Sequence, residues 1–244
     1  VMFAAMFISK ALGAVLKIPL GNILGGEGMG YFTTAYSIFT PVLSFACAGI
    51  PTILTRSVAG YAASGDYGRI AAMRKCSLIL ALLLGTAGAC LIYITAIPFV
   101  GFIANSPDSL PGVLIIAPAT LFCSVTAVYR GYYEGLSDTL PTALSQVIEA
   151  AVKALLGVGL SYIVYANGVR LFGSQSAALP YSAAAAILGV TVSEMCGMIY
   201  MLIRSRRKSD SFSTSGRIIP KEEMFRMCRE IFMASLPISL GAAA

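Results

Sequence analysis

Along this chain the charged residues fall into short clusters separated by long apolar runs. Residues 28–55, 76–107, 109–129 and 171–203 contain no Asp, Glu, Lys or Arg apart from Glu194. A helix of about 20 apolar residues crosses the hydrocarbon core of a bilayer, so each run is long enough to span it. A closed β-barrel also satisfies its backbone in lipid, but it needs strands of alternating polarity, and runs such as Leu78 to Leu84 do not alternate. The pattern predicts an all-α membrane protein, a polytopic helix bundle with helices over 1–21, 30–55, 76–101, 110–134, 140–166 and 178–203 and a seventh beginning near 229. Pro19, Gly21, Gly25, Gly26 and Gly28 separate the first two helices, and Gly65 follows the second. Asn105 to Pro107 with Pro111 mark the next loop, and Asn167 with Gly168 ends the fifth helix. Pro41, Pro98 and Pro118 fall inside or near helix ends, where neighbouring helices absorb a kink.

Composition strengthens this picture. Hydrophobic residues make up 57% of the chain and charged residues 11%, against about a quarter charged in an average soluble domain. The chain opens on Val1 and closes inside an apolar run, Gly241 to Ala244, so it reads as a fragment open at both ends. The polar-interrupted stretch around Lys10 does not resemble a signal peptide. Basic residues set an orientation, because positively charged short loops stay cytoplasmic. One set of alternate loops holds Arg56, Arg69, Arg74, Lys75, Arg130, Arg204, Arg206, Arg207, Lys208, Arg217, Lys221, Arg226 and Arg229, while the opposite set holds only Lys17 and Arg170. The loops after helices two, four and six, and the N-terminus with them, are expected on the cytoplasmic side of a plasma membrane. A net charge of +6 then serves anionic lipid headgroups rather than nucleic acid.

Charges inside lipid carry the candidate chemistry, because a Lys or Asp at a helix centre costs about 2.5 to 3.5 kcal/mol even on the lenient insertion scale. Lys10 and Lys17 lie seven residues apart on the first helix, which puts both ammonium groups on one face about 10 Å apart along the axis. Two readings stay open: the long stems snorkel to the two interfaces, or the pair lines a wet cavity and holds an anionic ligand. Gln146, Glu149 and Lys153 share one face of the fifth helix, with Glu149 and Lys153 at the spacing that favours mutual neutralisation. That group is either a structural ion pair or a substrate or coupling-ion site. Glu194 has no partner within its own helix, so it pairs with a lysine from another helix or takes up a proton. Gly25-Gly26-Glu27-Gly28-Met29-Gly30 lacks dinucleotide-loop spacing and reads as an interhelical turn. Six scattered cysteines without a CxxC pair, and no histidine, speak against zinc and for apolar packing. No triad, HExxH or carboxylate pair suggests an enzyme, and the small residues Ala183 to Ala186 and Gly189 fit close helix contact.

Several segments resemble a known group. Ser9-Lys10-Ala11-Leu12-Gly13, Ile18-Pro19-Leu20, Gly25 to Tyr31 and Ala48-Gly49-Ile50-Pro51 resemble the opening helices of the stage V sporulation protein B group. Arg130-Gly131-Tyr132-Tyr133-Glu134-Gly135, with Pro141-Thr142-Ala143 and Ser145-Gln146-Val147-Ile148-Glu149, looks like that group's RGYxxG...PTAxSQxxE signature. The group is similar to the MurJ-type lipid II flippases of the multidrug/oligosaccharidyl-lipid/polysaccharide (MOP) superfamily. The resemblance implies a MATE/MurJ-like two-lobed transporter around a central cavity. Residues 1–203 would form the N-terminal six-helix lobe, 204–228 a basic cytoplasmic linker and 229–244 the start of helix seven. It also implies that Lys10 stands where the flippases place a cavity cation for a lipid pyrophosphate, with Lys17 offset by one residue from a second such position. Glu134 stands where relatives commonly carry Gln, and Arg130 is expected to anchor its helix at the cytoplasmic face.

The expected activity is translocation of an anionic lipid-linked oligosaccharide, an undecaprenyl-pyrophosphate sugar serving peptidoglycan or spore cortex, with no bound cofactor and with Na⁺ or H⁺ as possible coupling ions. Its partners would be that substrate, membrane lipids and the second lobe of the same chain. The rival expectations are a cation-coupled multidrug exporter of the same superfamily and a noncatalytic membrane scaffold.

Overall fold

The computed structural model of the protein describes every residue except 1, 48, 169, 171–172, 210–220 and 244. Helix α1 runs Met2–Cys47 and is broken only at Gly25, whose φ of 61° and ψ of −167° lie outside any helix. Short α2 (Gly49–Ala63) continues its course. Then come α3 (Tyr67–Pro98) with a π-turn at Phe99–Ile103, and α4 (Leu110–Ile116), entered by a 3-10 turn at Pro107–Ser109. The series ends with α5 (Ala119–Gly135), α6 (Leu140–Ala166), α7 (Gln175–Ser209) and α8 (Lys221–Ala243). Among the described residues five stretches are long and apolar enough to cross a membrane: Lys17–Ala63, Tyr67–Ile103, Pro107–Gly135, Leu140–Ala166 and Gln175–Arg206.

Local chemistry sets the boundaries. Gly65, at φ 73°, turns the chain at little steric cost, and Asp66 then caps α3 by accepting the Arg69 amide at 3.1 Å. Pro118 interrupts the third of these spans, between α4 and α5. Thr120 Oγ1 answers by donating to the Ala117 carbonyl at 2.8 Å and, across the bundle, to Gly85 O at 3.1 Å, so freed backbone groups stay satisfied in a dry interior. Pro141 sits in the first turn of α6, where its missing N–H costs nothing. At the other end of α6 the Asn167 side chain donates to Ile163 O at 2.8 Å.

Several expected boundaries move. The second helix, expected at 30–55, instead begins directly after Gly25 and is carried on through α2 to Ala63. The glycine-rich turn thus shrinks to one residue, because only Gly25 adopts a non-helical backbone. The loop expected between 56 and 75 reduces to residues 64–66, since α3 starts at Tyr67. The basic stretch 204–228 is helical at both ends, up to Ser209 and from Lys221; residues 210–220, with Arg217, lie outside the described part.

Two apolar clusters hold the bundle. One gathers Leu20, Leu24, Phe32, Ile92, Val113, Ile116 and Ile187; the other gathers Ile50, Leu54, Val58, Ile70, Val128, Tyr133, Met201 and Ile231. One tight helix contact brings Gly189 of α7 onto the backbone of Gly157 in α6, where no methyl group fits. The small residues of α7 thus let two membrane helices approach closely, as dispersion-driven packing in lipid requires. The ends of the helices sort consistently. Arg74 lies 5.1 Å over the Tyr132 ring and bonds Ser205 at 3.3 Å, bringing the start of α3 to the ends of α5 and α7.

Candidate functional site

Between the two apolar clusters lies a polar layer. On α7, Glu194 and Gly197 fall between Val190 of the first cluster and Met201 of the second, and on α5 Cys123 and Ser124 fall between Ala119 and Val125. Lys153 stands midway along α6. These groups therefore sit near the middle of their spans, where a lone charge is most costly.

Two ion pairs neutralise the layer, each across helices. Arg130 of α5 donates from Nη2 to both carboxylate oxygens of Glu149 on α6, at 2.6 Å each, and from Nε to Ser145 Oγ at 3.1 Å. Gly197 of α7 faces that carboxylate so closely that a Cβ there would collide with Glu149 Oε1. Lys153 meets Glu194 Oε1 at 3.4 Å, and the thiol of Cys123 donates to Glu194 Oε2 at 3.1 Å. Cys47 and Ser124 extend the layer with a contact of 3.1 Å.

The arrangement corrects one expectation. Glu149 and Lys153 do not neutralise each other along α6; Glu149 takes Arg130 and Lys153 takes Glu194. The reason is geometric: partners on neighbouring helices approach head-on and accept several bonds at once, which an i, i+4 pair on one helix does less well. Glu194 does pair with a lysine from another helix, one of its two expected fates. Arg130, expected as an anchor of its helix at the cytoplasmic face, has its guanidinium turned to Glu149 and Ser145 of α6. Gln146 is half-buried beside this group, with no described hydrogen bond.

Lys10 and Lys17 are placed elsewhere. Both are exposed on the first arm of α1. Among the described residues neither lysine has an acidic partner, in contrast to the paired charges inside the lobe. The structure thus separates the seven sequence candidates into a self-neutralised interior group on α5, α6 and α7 and an unpaired cationic face on α1. Ser145, Cys123 and Gly197 belong to the interior group and were not singled out as site residues by the sequence reading. Ser145 lies in the SQxxE segment, so a signal existed for it; nothing local marks Cys123 or Gly197.

The described residues form an all-helical lobe with a broken first helix, small-residue seams and a charged layer between two apolar clusters. The same fold is found in one half of a multidrug resistance MATE family transporter of the MOP superfamily, in its inward-facing conformation, on which the chain superposes with a TM-score of 0.67 at 17% identity, covering 94% of this chain and 50% of that one. Residues 1–243 match the polysaccharide biosynthesis protein family, and the chain belongs to it. It is similar to the lipid II flippase MurJ of Bacillus subtilis, 26% identical over 192 residues, which cover 75% of this chain and 35% of that protein. It is also similar to stage V sporulation protein B of the same organism, 24% identical over 203 residues, 83% of this chain and 37% of that one. The chain therefore spans little more than a third of these curated relatives.

Proposed function

We propose that this lobe, with a second one, forms a flippase that carries an anionic lipid-linked oligosaccharide, an undecaprenyl-pyrophosphate sugar of peptidoglycan or spore-cortex synthesis, across the cytoplasmic membrane by alternating access. The observation that carries the reading is that Lys10 and Lys17 are exposed on α1 and have no acidic partner among the described residues, in a lobe that pairs its interior charges. An unpaired ammonium beside a low-dielectric wall attracts a pyrophosphate strongly. Two of them a couple of helical turns apart match a doubly phosphorylated headgroup, whose polyprenyl tail stays in lipid. The names of the relatives, a lipid II flippase and a sporulation protein, support the same substrate class.

The interior pairs divide the remaining work. Arg130 and Glu149, locked by two short bonds and Ser145, serve as the structural joint between α5 and α6. Lys153 and Glu194 are joined by one longer contact, and Glu194's second oxygen is held by a thiol, a weak donor. Glu194 is thus the less compensated carboxylate and our candidate for H⁺ or Na⁺ coupling. The N-terminus and the basic loop ends lie on the cytoplasmic side in this reading.

The test is complementation of a strain depleted of its flippase by the full-length protein. Lys10→Ala abolishes growth while the protein still reaches the membrane, and Lys10→Arg restores it. Normal growth with Lys10→Ala at unchanged membrane levels would overturn the proposal.

A further inference from the structure

Of the segment Arg130 to Gly135, the charged layer uses only Arg130. Gly131 and Gly135 pack α5 on α2, against the backbone of Pro51 and Thr55. The two tyrosines between them belong to a separate cluster at the helix ends. Tyr132 lies beneath the guanidinium of Arg74 from α3, at 5.1 Å, and Nη1 of the same arginine donates to Ser205 Oγ of α7 at 3.3 Å. Tyr133, 1% exposed, stands against Tyr132 with ring centroids 5.3 Å apart. Its hydroxyl is buried and has no hydrogen-bond partner among the described residues. Arg204 of α7 and Arg74 both lie within electrostatic reach of that hydroxyl, as does Asp138 in the turn after α5, yet none of the three bonds it.

The side chains short of a partner here are all donors. A phenol left unbonded in a dry interior costs about 1 to 3 kcal/mol. Among the described residues neither Arg74 nor Arg204 has an acidic partner, whereas Arg130 takes Glu149 and Arg69 takes Asp66 and Glu223. Asp138 has a partner of its own. Two guanidinium groups and one O–H without an acceptor call for an anion, and the planar guanidinium fork fits the oxygens of a phosphoryl group.

Depth selects the source of that group. Arg204 lies two residues inside the end of the apolar stretch Gln175–Arg206. On the same two helices Ile79, Ile199 and Ile203 are exposed, an apolar surface that lipid tails cover. Cations at such an end meet headgroup phosphates, and the neighbouring Lys75 and Arg206, both exposed, add attraction to an anionic leaflet.

We infer that Arg74, Arg204 and the Tyr133 hydroxyl hold the phosphoryl group of an anionic phospholipid at this end of the lobe. The arginines supply charge, and the phenol supplies one donated bond. The site is separate from the lysine face of α1 and does not depend on the substrate proposed for it.

The test counts lipid on the full-length protein. Purified in a neutral detergent, it is titrated with dioctanoyl phosphatidylglycerol, and bound molecules are counted by native mass spectrometry, with dioctanoyl phosphatidylcholine and inorganic phosphate as competitors. The tightest-bound phosphatidylglycerol is expected to resist both competitors at equal concentration. Tyr133→Phe should weaken it about tenfold, the loss expected for one hydrogen bond to a charged group. The same variant should hold or raise the unfolding temperature in lipid-free detergent, because it removes a buried, unbonded hydroxyl; a merely structural role would not split the two readouts. Arg204→Gln should weaken retention by at least as much, and Arg206→Gln, on the same helix but outside the cluster, by far less. Lys10→Ala should leave retention unchanged, so failure of the substrate reading leaves this site standing. Three results would overturn the inference: retention by Tyr133→Phe and Arg204→Gln equal to the parent's, displacement of the lipid by inorganic phosphate, or a lower unfolding temperature for Tyr133→Phe without lipid.

Discussion

At the scale of single residues, the Arg130–Glu149 pair shows how a membrane interior tolerates charge. The guanidinium meets both carboxylate oxygens through short bonds from Nη2, and its Nε donates to Ser145. Removing one member of such a pair leaves the other buried and uncompensated, which typically costs about 3 to 5 kcal/mol. Glu149→Gln is therefore expected to lower the thermal unfolding temperature of the detergent-solubilised protein sharply. Adding Arg130→Gln should recover part of that loss, because the stranded cation is then gone. Gly197→Ala acts on the same pair from the α7 side, since its methyl group has no place but the carboxylate's. Additive losses for Glu149→Gln and Arg130→Gln, measured as a double-mutant cycle, would show that the two side chains do not act together.

At the scale of elements, α1 depends on one backbone angle. Gly25 occupies a region of φ and ψ essentially reserved for glycine, at 61° and −167°, and a side chain there costs on the order of 1 to 3 kcal/mol. Its surroundings are open, with nothing within 4 Å of an added Cβ, so the penalty is purely one of backbone conformation. Gly26 is just as open but keeps helical geometry. Thermal unfolding should therefore fall for Gly25→Ala and hold or rise slightly for Gly26→Ala. Equal behaviour of the two variants would mean that the break in α1 lies elsewhere. The consequence reaches the proposed site, because this break sets the direction of the arm that carries Lys10 and Lys17.

For the molecule as a whole, the turns sort to two ends. The start of α3, the ends of α5 and α7 and the start of α8 meet through Arg69, Arg74, Tyr132, Ser205 and Glu223. At the opposite end, Gly28 of α1 abuts Leu179 of α7. The basic residues that meet here crowd the first of these ends, which predicts that it faces the cytoplasm. In a cysteine-free chain, Ser64→Cys and Ser137→Cys are expected to react with an impermeant thiol reagent only in inside-out vesicles. Asp108→Cys and Ser174→Cys should react only in intact cells. The reverse pattern would invert the proposed orientation, and with it the side from which the lysine face of α1 is loaded.

Sequence alone determined what depends on composition and local period. The charge-free runs made the chain a membrane bundle, and the helix expected over 140–166, ended by Asn167, is where the structure begins and ends α6. The RGYxxG and SQxxE segments pointed to the family that the full-length match bears out. Turn signals were less decisive: six glycines and prolines between Pro19 and Gly30 looked alike on paper, and only one breaks the helix. What tertiary structure alone decided is the partnership of charges. Along one helix, Glu149 has Lys153 as its natural mate, but a carboxylate in lipid goes to whichever cation offers the most hydrogen bonds, and that cation sits on a neighbouring helix. Gly197 and Cys123 belong to the same class. Their significance rests on what lies across the gap between helices, and a linear pattern carries no record of that distance.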